Sequence, residues 1–270
     1  MTDKKKALLN KERYDFYDLC DVMAILRAPG GCPWDMEQTH QSIRQNFIEE
    51  TYEAVEAIDL GDRTLLCEEL GDVLMQAVFH TQIEEELGGF SMEDVTTGVV
   101  QKLIYRHPHV FADTVADTSA EVLVNWDKLK AKEKHRETVT DSLESVPKPL
   151  PALIRAEKVG KKAAKVGFDF ATAEDAAKKI TEETDELLCA DDASRAEELG
   201  DLLFAVVNTA RKYGISAEEA LTKATDKFIR RFSKVEAGVL ADGKRMEDLS
   251  LEELDRYWDA VKLQNSGENA

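Results

Sequence analysis

Apolar residues recur along this chain at intervals of three and four. From Phe47 to Leu60 they fall at Ile48, Tyr52, Val55 and Ile58, which predicts a helix burying those four on one face. The rhythm continues from Leu65 to Glu86 until Gly88-Gly89 stops it, and Ser91 with Asp94 has the spacing of a capping box that opens the next helix. Gly61-Asp62 and Ala190-Asp191-Asp192 read as turns between paired helices. No stretch alternates convincingly as a strand does, so the chain is predicted to be all-α. Helices joined by short turns pack as antiparallel neighbours, giving small bundles. So few helices leave a wide apolar face uncovered, which favours dimerisation or packing of bundle on bundle.

The polar positions carry a second pattern, and it occurs twice. Glu49-Glu50-Thr51-Tyr52-Glu53 and Glu68-Glu69-Leu70-Gly71-Asp72 are matched by Glu182-Glu183-Thr184-Asp185-Glu186 and Glu197-Glu198-Leu199-Gly200-Asp201. Other landmarks keep the same order. Asp35 lies fifteen residues before Glu50, and Asp169 fourteen before Glu183. Apolar runs follow each Gly-Asp, from Val73 to Phe79 and from Leu202 to Val207. Lys102 and Arg106 answer to Lys227 and Arg231, and each copy closes on Trp-x-x-x-Lys, at Trp126 and Trp258. Between the copies stands Val146-Pro147-Lys148-Pro149-Leu150-Pro151, where proline at every second position forbids a continuous helix. The expected organisation is two tandem helical domains, 14–140 and 152–264, joined by a linker over 141–151.

Residues three apart share a helix face, so each copy presents two carboxylate pairs from successive helices. Four converging carboxylates repel one another unless a cation joins them, and hard divalent ions with oxygen ligands meet that demand. The candidate metal ligands are therefore Glu50, Glu53, Glu69 and Asp72 in the first copy, and Glu183, Glu186, Glu198 and Asp201 in the second. All-oxygen ligation points to Mg²⁺, with Mn²⁺ as a substitute. A di-iron bundle would use Glu-x-x-His twice, whereas Glu37-x-x-His40 occurs once, at the start of an expected helix. His107 and His109, found only in the first copy, read as turn or packing residues. Gly71 and Gly200 stand inside helices at a cost of about 1 kcal/mol each. Either helices pack closely there or the missing side chain leaves room for a metal or phosphate. Lys227, Arg230 and Arg231 suit phosphate oxygens, and Trp126 and Trp258 either stack on a base or pack between helices.

A net charge of −19 argues against a sequence-independent grip on nucleic acid, while a metal can reverse the local field for a small anionic substrate. The chain holds no apolar run of membrane-spanning length and no signal-peptide pattern at its lysine-rich start. Cys20, Cys32, Cys67 and Cys189 lack metal-ligand spacing and are expected to be reduced and mostly buried, which favours the cytoplasm. No Gly-rich phosphate loop is present.

At these residues the chain resembles the MazG family of nucleoside triphosphate pyrophosphohydrolases. Both Glu-Glu-x-x-Glu…Glu-x-x-Asp sets carry the likeness, together with Cys32-Pro33-Trp34-Asp35-x-x-Gln38-Thr39-His40, Arg106-His107-Pro108-His109-Val110-Phe111, Lys165-Val166-Gly167-Phe168-Asp169 and Lys227-Phe228-Ile229-Arg230-Arg231. It runs from about Tyr14 to Lys262. The resemblance implies Mg²⁺-dependent cleavage of nucleoside triphosphates between the α and β phosphates, with broad nucleotide tolerance and a homodimer. It also implies that Lys179, Glu182, Glu197, Lys227, Phe228, Arg230, Arg231 and Trp258 lie at the nucleotide, with Glu182 helping to orient or deprotonate the attacking water. Tyr105 stands in the first copy where the second has Arg230, so the second copy is expected to do most of the hydrolysis. Two rivals stay open: a nucleotide-responsive regulatory protein, and a phosphohydrolase that removes only the terminal phosphate.

Overall fold

In the computed structural model, which describes residues 3–112, 118–133 and 138–267, every regular element among the described residues is helical. The chain divides into two compact units, Met1–Lys130 and Ala131–Ala270.

The first unit opens with α1 (Asp3–Leu9), α2 (Phe16–Arg27) and the short α3 (Pro33–Glu37). Then come the two acid-bearing helices, α4 (Arg44–Leu60) and α5 (Arg63–Leu87), followed by α6 (Met92–Arg106), α7 (Pro108–Phe111) and α8 (Ser119–Glu133). The tight α4–α5 turn follows from its chemistry. Gly61 takes the left-handed conformation (φ 68°) that ends α4, and the Asp62 carboxylate accepts from the Thr64 and Leu65 amides to start α5. Gly88 (φ 74°) ends α5, and the Ser91–Asp94 capping box opens α6 as its spacing predicts. A core of Met23, Ile43, Val78, Phe79 and Ile83 holds α2 against α5.

The face expected to be buried on α4 is not the one that packs. Tyr52, Val55 and Ile58 are 51%, 46% and 60% exposed, and Ile48 is only partly covered, whereas Ala54 and Ala57 are buried. The main neighbour of α4 is α5. Small residues at 54 and 57 let that helix approach on the side that also carries Glu50, leaving the larger apolar stripe open. The thiols correct a second expectation. All four cysteines are free, but Cys20 and Cys32 are only partly buried and Cys67 and Cys189 are exposed. Glu37 ends α3, and His40 sits in the turn before α4 rather than at a helix start.

The second unit contains α9 (Val139–Glu144), α10 (Ala152–Ala164), α11 (Ala173–Cys189), α12 (Arg195–Lys212), α13 (Ala217–Ala241) and α14 (Leu251–Gly267). No helix runs through Pro147–Pro151, and Val146 just before it is buried. The acid-bearing pair α11 and α12 forms the most extensive helix contact here, as α4 and α5 do in the first unit. Gly160 lets α10 come close to α12, since a Cβ there would lie 2.7 Å from Asn208 Oδ1. Val235, Val239 and Val261 join α13 to α14, with Tyr257 and Trp258 packed against them.

Each unit ties its entry loop to its second acidic helix through an arginine, but the arginine comes from different places. In the first, buried Arg27 of α2 grips Glu86 of α5 with Nε and Nη2 at 2.9 and 2.8 Å, and its Nη1 donates to the Asp35 and Gln38 carbonyls. In the second, Arg211 of α12 itself donates to Asp169 in the loop, and Lys212 adds a contact at 3.3 Å.

Two carboxylate clusters as candidate metal centres

The α4–α5 turn sets the two helices antiparallel, so residues about equally far from the turn lie opposite one another. Glu50, Glu69 and Asp72 meet there with one oxygen of each within 4.8 Å of the others. Glu53 stands close by, and its charge acts on both Glu50 and Glu69. Burial, then the charges of Asp72 and Glu53, push Glu50 above the ordinary carboxylate range. Burial, then Glu53 and Asp72, do the same to Glu69, which is 8% exposed.

The second cluster is built the same way between α11 and α12, with a different membership. Glu183, Glu186 and Glu198 converge within 4.8 Å, while Asp201, a turn further along α12, is exposed and outside the group. Glu183 is 7% exposed. The charge of Glu183, followed by burial, raises the Glu186 pKa. Lys179 enters this cluster, its ammonium 2.8 Å from both Glu182 and Glu183, and those two hydrogen bonds raise its own pKa. In the first unit Asn46 stands at the corresponding place, four residues before Glu50.

A hard cation binds oxygens at about 2.0–2.6 Å, so oxygens up to roughly 5 Å apart can share one ion. The oxygen-only donor set, its spacing and its mutually repelling acids, one of them buried in each cluster, fit a hard divalent cation such as Mg²⁺ or Mn²⁺. Gln76 adds to the first. It is 5% exposed, its amide favours the ionised form of Glu50, and its Oε1 has no partner, a deficit worth about 1–3 kcal/mol if nothing fills it. A Cβ at Gly71 or Gly200 would meet nothing within 4 Å, so close helix packing within the chain is not what those glycines serve, and the space beside each aspartate is open.

The basic residues lie on α13, which packs on α12. Lys227 and Arg230 are exposed and Arg231 is partly buried. Among the described residues no ion pair joins these three to the acids of the second cluster. Phe228 is 5.1 Å from Trp258, ring centre to ring centre, and 55% exposed. Glu197 is exposed at the start of α12. His107 and His109 lie at the α6–α7 junction. His107 joins α6 to α7, its Nδ1 donates to the Leu103 carbonyl, and its ring edge meets Trp126, over which the Arg106 guanidinium also lies at 5.4 Å. A recess of about 450 Å³ opens beside the Asp169–Arg211 pair, with Val159, Ala163, Phe170, Phe204 and Asn208 in its wall; no clustered acid lines it.

Two arrangements lay beyond the sequence reading. One is Gln76, visible only as a lone polar residue inside the apolar run Val73 to Phe79. The other is a chain of hydrogen bonds in which His40 Nε2 donates to Glu84 at 2.8 Å and His40 Nδ1 meets His80 Nδ1 at 2.8 Å. The two rings are nearly coplanar, at 5°, with centres 5.1 Å apart, so they lie edge to edge. In the tautomer that donates its Nε2–H to the carboxylate, His40 accepts at Nδ1 from the N–H of His80. His40 and His80 are forty residues apart in the chain, and no spacing rule links them.

The chain matches the model of the MazG nucleotide pyrophosphohydrolase domain twice, over residues 38–111 and 171–236. It is 45% identical over 253 residues to the nucleoside triphosphate pyrophosphohydrolase of Escherichia coli K12, covering 91% of this chain and 96% of that one. It is 43% identical over 248 residues to the nucleoside triphosphate pyrophosphohydrolase/pyrophosphatase MazG of Thermotoga maritima, covering 92% and 95%. A Bacillus subtilis protein, YabN, is 46% identical over 254 residues that make up 52% of its own length. With the domain present twice and the likeness running through nearly the whole of two relatives, this chain belongs to the MazG nucleotide pyrophosphohydrolase family.

Proposed function

We propose that the protein hydrolyses nucleoside and deoxynucleoside triphosphates to the monophosphate and pyrophosphate, with Mg²⁺ as its cofactor and Mn²⁺ able to substitute, and that the second unit carries the principal site. The observation that carries this is the convergence of Glu183, Glu186 and Glu198 beside Lys179, on α11 and on α12, which packs against the α13 helix that bears Lys227, Arg230 and Arg231. Glu183, Glu186 and Glu198 hold the cation, with Asp201 a turn away to complete the set. Such a cation neutralises phosphate charge and makes bound water more acidic. Lys227, Arg230 and Arg231 bind phosphate oxygens, the arginines through their forked donors. Lys179 fixes Glu182 at 2.8 Å, where that carboxylate can accept a proton from the attacking water. Phe228 and Trp258 offer ring faces to the base, and Glu197 borders the nucleotide.

Glu50, Glu53, Glu69 and Asp72 form a second cation set in the domain 14–140, which the segment 141–151 joins to the domain 152–264. The protein works as a homodimer in the cytoplasm, clearing or adjusting the nucleotide pool, and binds neither nucleic acid nor membrane; no described helix is long and apolar enough to cross one.

Product analysis tests the reading. With Mg²⁺ and a panel of NTPs and dNTPs, monophosphate and pyrophosphate should appear, and EDTA should abolish them. Glu183→Ala should lower turnover by at least about 100-fold, since it removes a metal ligand, and Glu50→Ala by much less. Orthophosphate as product, or turnover lost with Glu50→Ala and kept with Glu183→Ala, would refute the assignment.

A further inference from the structure

The first cluster contains a polar group that the second lacks. Gln76 lies one helical turn beyond Asp72 on α5, almost wholly buried, with its amide near enough to Glu50 to favour that carboxylate's ionised form. Of the amide's two ends, Nε2 can donate to a carboxylate such as Glu50, while Oε1 can only accept. Gln76 shares a face of α5 with Glu69 and Asp72, and its buried Oε1 accepts from no described group of the chain. The surrounding acids, once ionised, have no hydrogen to offer. What satisfies Oε1 must carry a positive end, and a hydrated cation at the cluster does. In the second unit the matching position is Ala205, buried and without a polar group, and Lys179 supplies positive charge instead.

We propose that Gln76 is a positioning residue of a cation site in the first unit, its Nε2 holding Glu50 and its Oε1 serving as a neutral acceptor for the hydrated ion. This rests on the reading that the carboxylate clusters hold divalent cations. The first unit, having this amide and no lysine among its acids, keeps its ion without nucleotide. Partners that orient metal ligands in this way change affinity by about 10–100-fold when removed.

The test uses the full chain carrying Glu183→Ala, so that the second cluster is disabled, and titrates it with Mn²⁺ alone, following free Mn²⁺ by electron paramagnetic resonance and the thermal midpoint with and without the ion. Glu50 and Gln76 intact should give Mn²⁺ binding in the absence of nucleotide. Gln76→Met, of similar length, should weaken it about tenfold or more and shrink the Mn²⁺-induced rise in midpoint. Gln76→Ala, which copies the second unit, should do the same and serves if the methionine variant folds poorly. A purely structural glutamine would shift the ion-free midpoint yet leave Mn²⁺ affinity within about twofold, and that result overturns the proposal. If Glu183→Ala binds no Mn²⁺, or binds it equally after Glu50→Ala is added, the first cluster holds no cation and the reading beneath the proposal fails instead. Pyrophosphate release by the unmodified chain reports on the proposed activity separately.

Discussion

Lys179 spends its ammonium on Glu182 and Glu183, and so the second cluster already contains a positive charge where a metal ion competes for the same oxygens. Lys179 is partly exposed, and solvent screening limits its repulsion of a nearby divalent ion to roughly fivefold in affinity. Lys179→Met should therefore strengthen Mn²⁺ binding at the second cluster by about that factor when nucleotide is absent. It should also lower kcat/KM for triphosphates, because Glu182 loses the contact that fixes it. Mn²⁺ titration and steady-state kinetics on the same preparation check both signs; weaker Mn²⁺ binding would show that Lys179 helps to hold Glu183 in place rather than opposing the ion.

At the scale of elements, what matters is how each acidic helix pair is held in register with the loop before it. In the second unit the tie is Asp169, which Arg211 and then Lys212 hold at a pKa of about 2. The sign follows from that depression. Above the unfolded carboxylate value of about 3.8 the ionised Asp169 contributes its full stabilisation, and the contribution is lost as pH falls toward 2. Arg211→Met removes the main cause of the shift. Its loss of thermal midpoint relative to the unmodified chain should be largest at neutral pH and should narrow between about pH 4 and 2. Midpoints measured across that range by circular dichroism check it; a difference that stays constant with pH would mean that the pair contributes nothing through ionisation. In the first unit the corresponding tie is made by Arg27 to Glu86 and to two loop carbonyls, only one of which involves a titrating partner.

At the scale of the whole molecule, the exposed apolar stripes are the main unfinished feature. Tyr52, Val55 and Ile58 on α4 are joined by Val95, Val99, Val100, Leu103 and Ile104 on α6, all more than a third exposed. Those on α6 recur at intervals of three and four, one face of a helix, and a helix face of that kind is normally covered. Val99→Glu with Leu103→Glu should convert the proposed dimer to monomer, read as a halving of mass by light scattering after size exclusion. An unchanged mass would place the subunit contact elsewhere; a monomeric unmodified chain would remove the dimer altogether.

Much of the fold was legible because its determinants are local. Three-and-four spacing marks a helix, Gly61 and Gly88 end helices by their left-handed geometry, and Asp62 and the Ser91–Asp94 box begin them, so helix limits follow from neighbours in sequence. The repeated acids, too, were readable, since carboxylates three apart share a face whatever the helix packs against. Which face packs was not local. The apolar stripe of α4 promised burial, and α5 instead approached over Ala54 and Ala57, because small side chains allow closer contact than Tyr52 or Ile58 do. Nor was cluster membership: Glu186 enters and Asp201 stays out in one unit, while Asp72 enters the other, since a short side chain reaches the centre only where the helix is rotated to bring it there. The Gln76–Glu50 contact and the His40–His80–Glu84 chain depend on helices meeting at a given depth and angle. Sequence alone determined the helices, the duplication and the chemical character of the acids, all set within a few residues. Tertiary structure decided which of those acids meet, what lies beside them and which apolar faces are left open, because those depend on the rotation and approach of helices that no local pattern encodes.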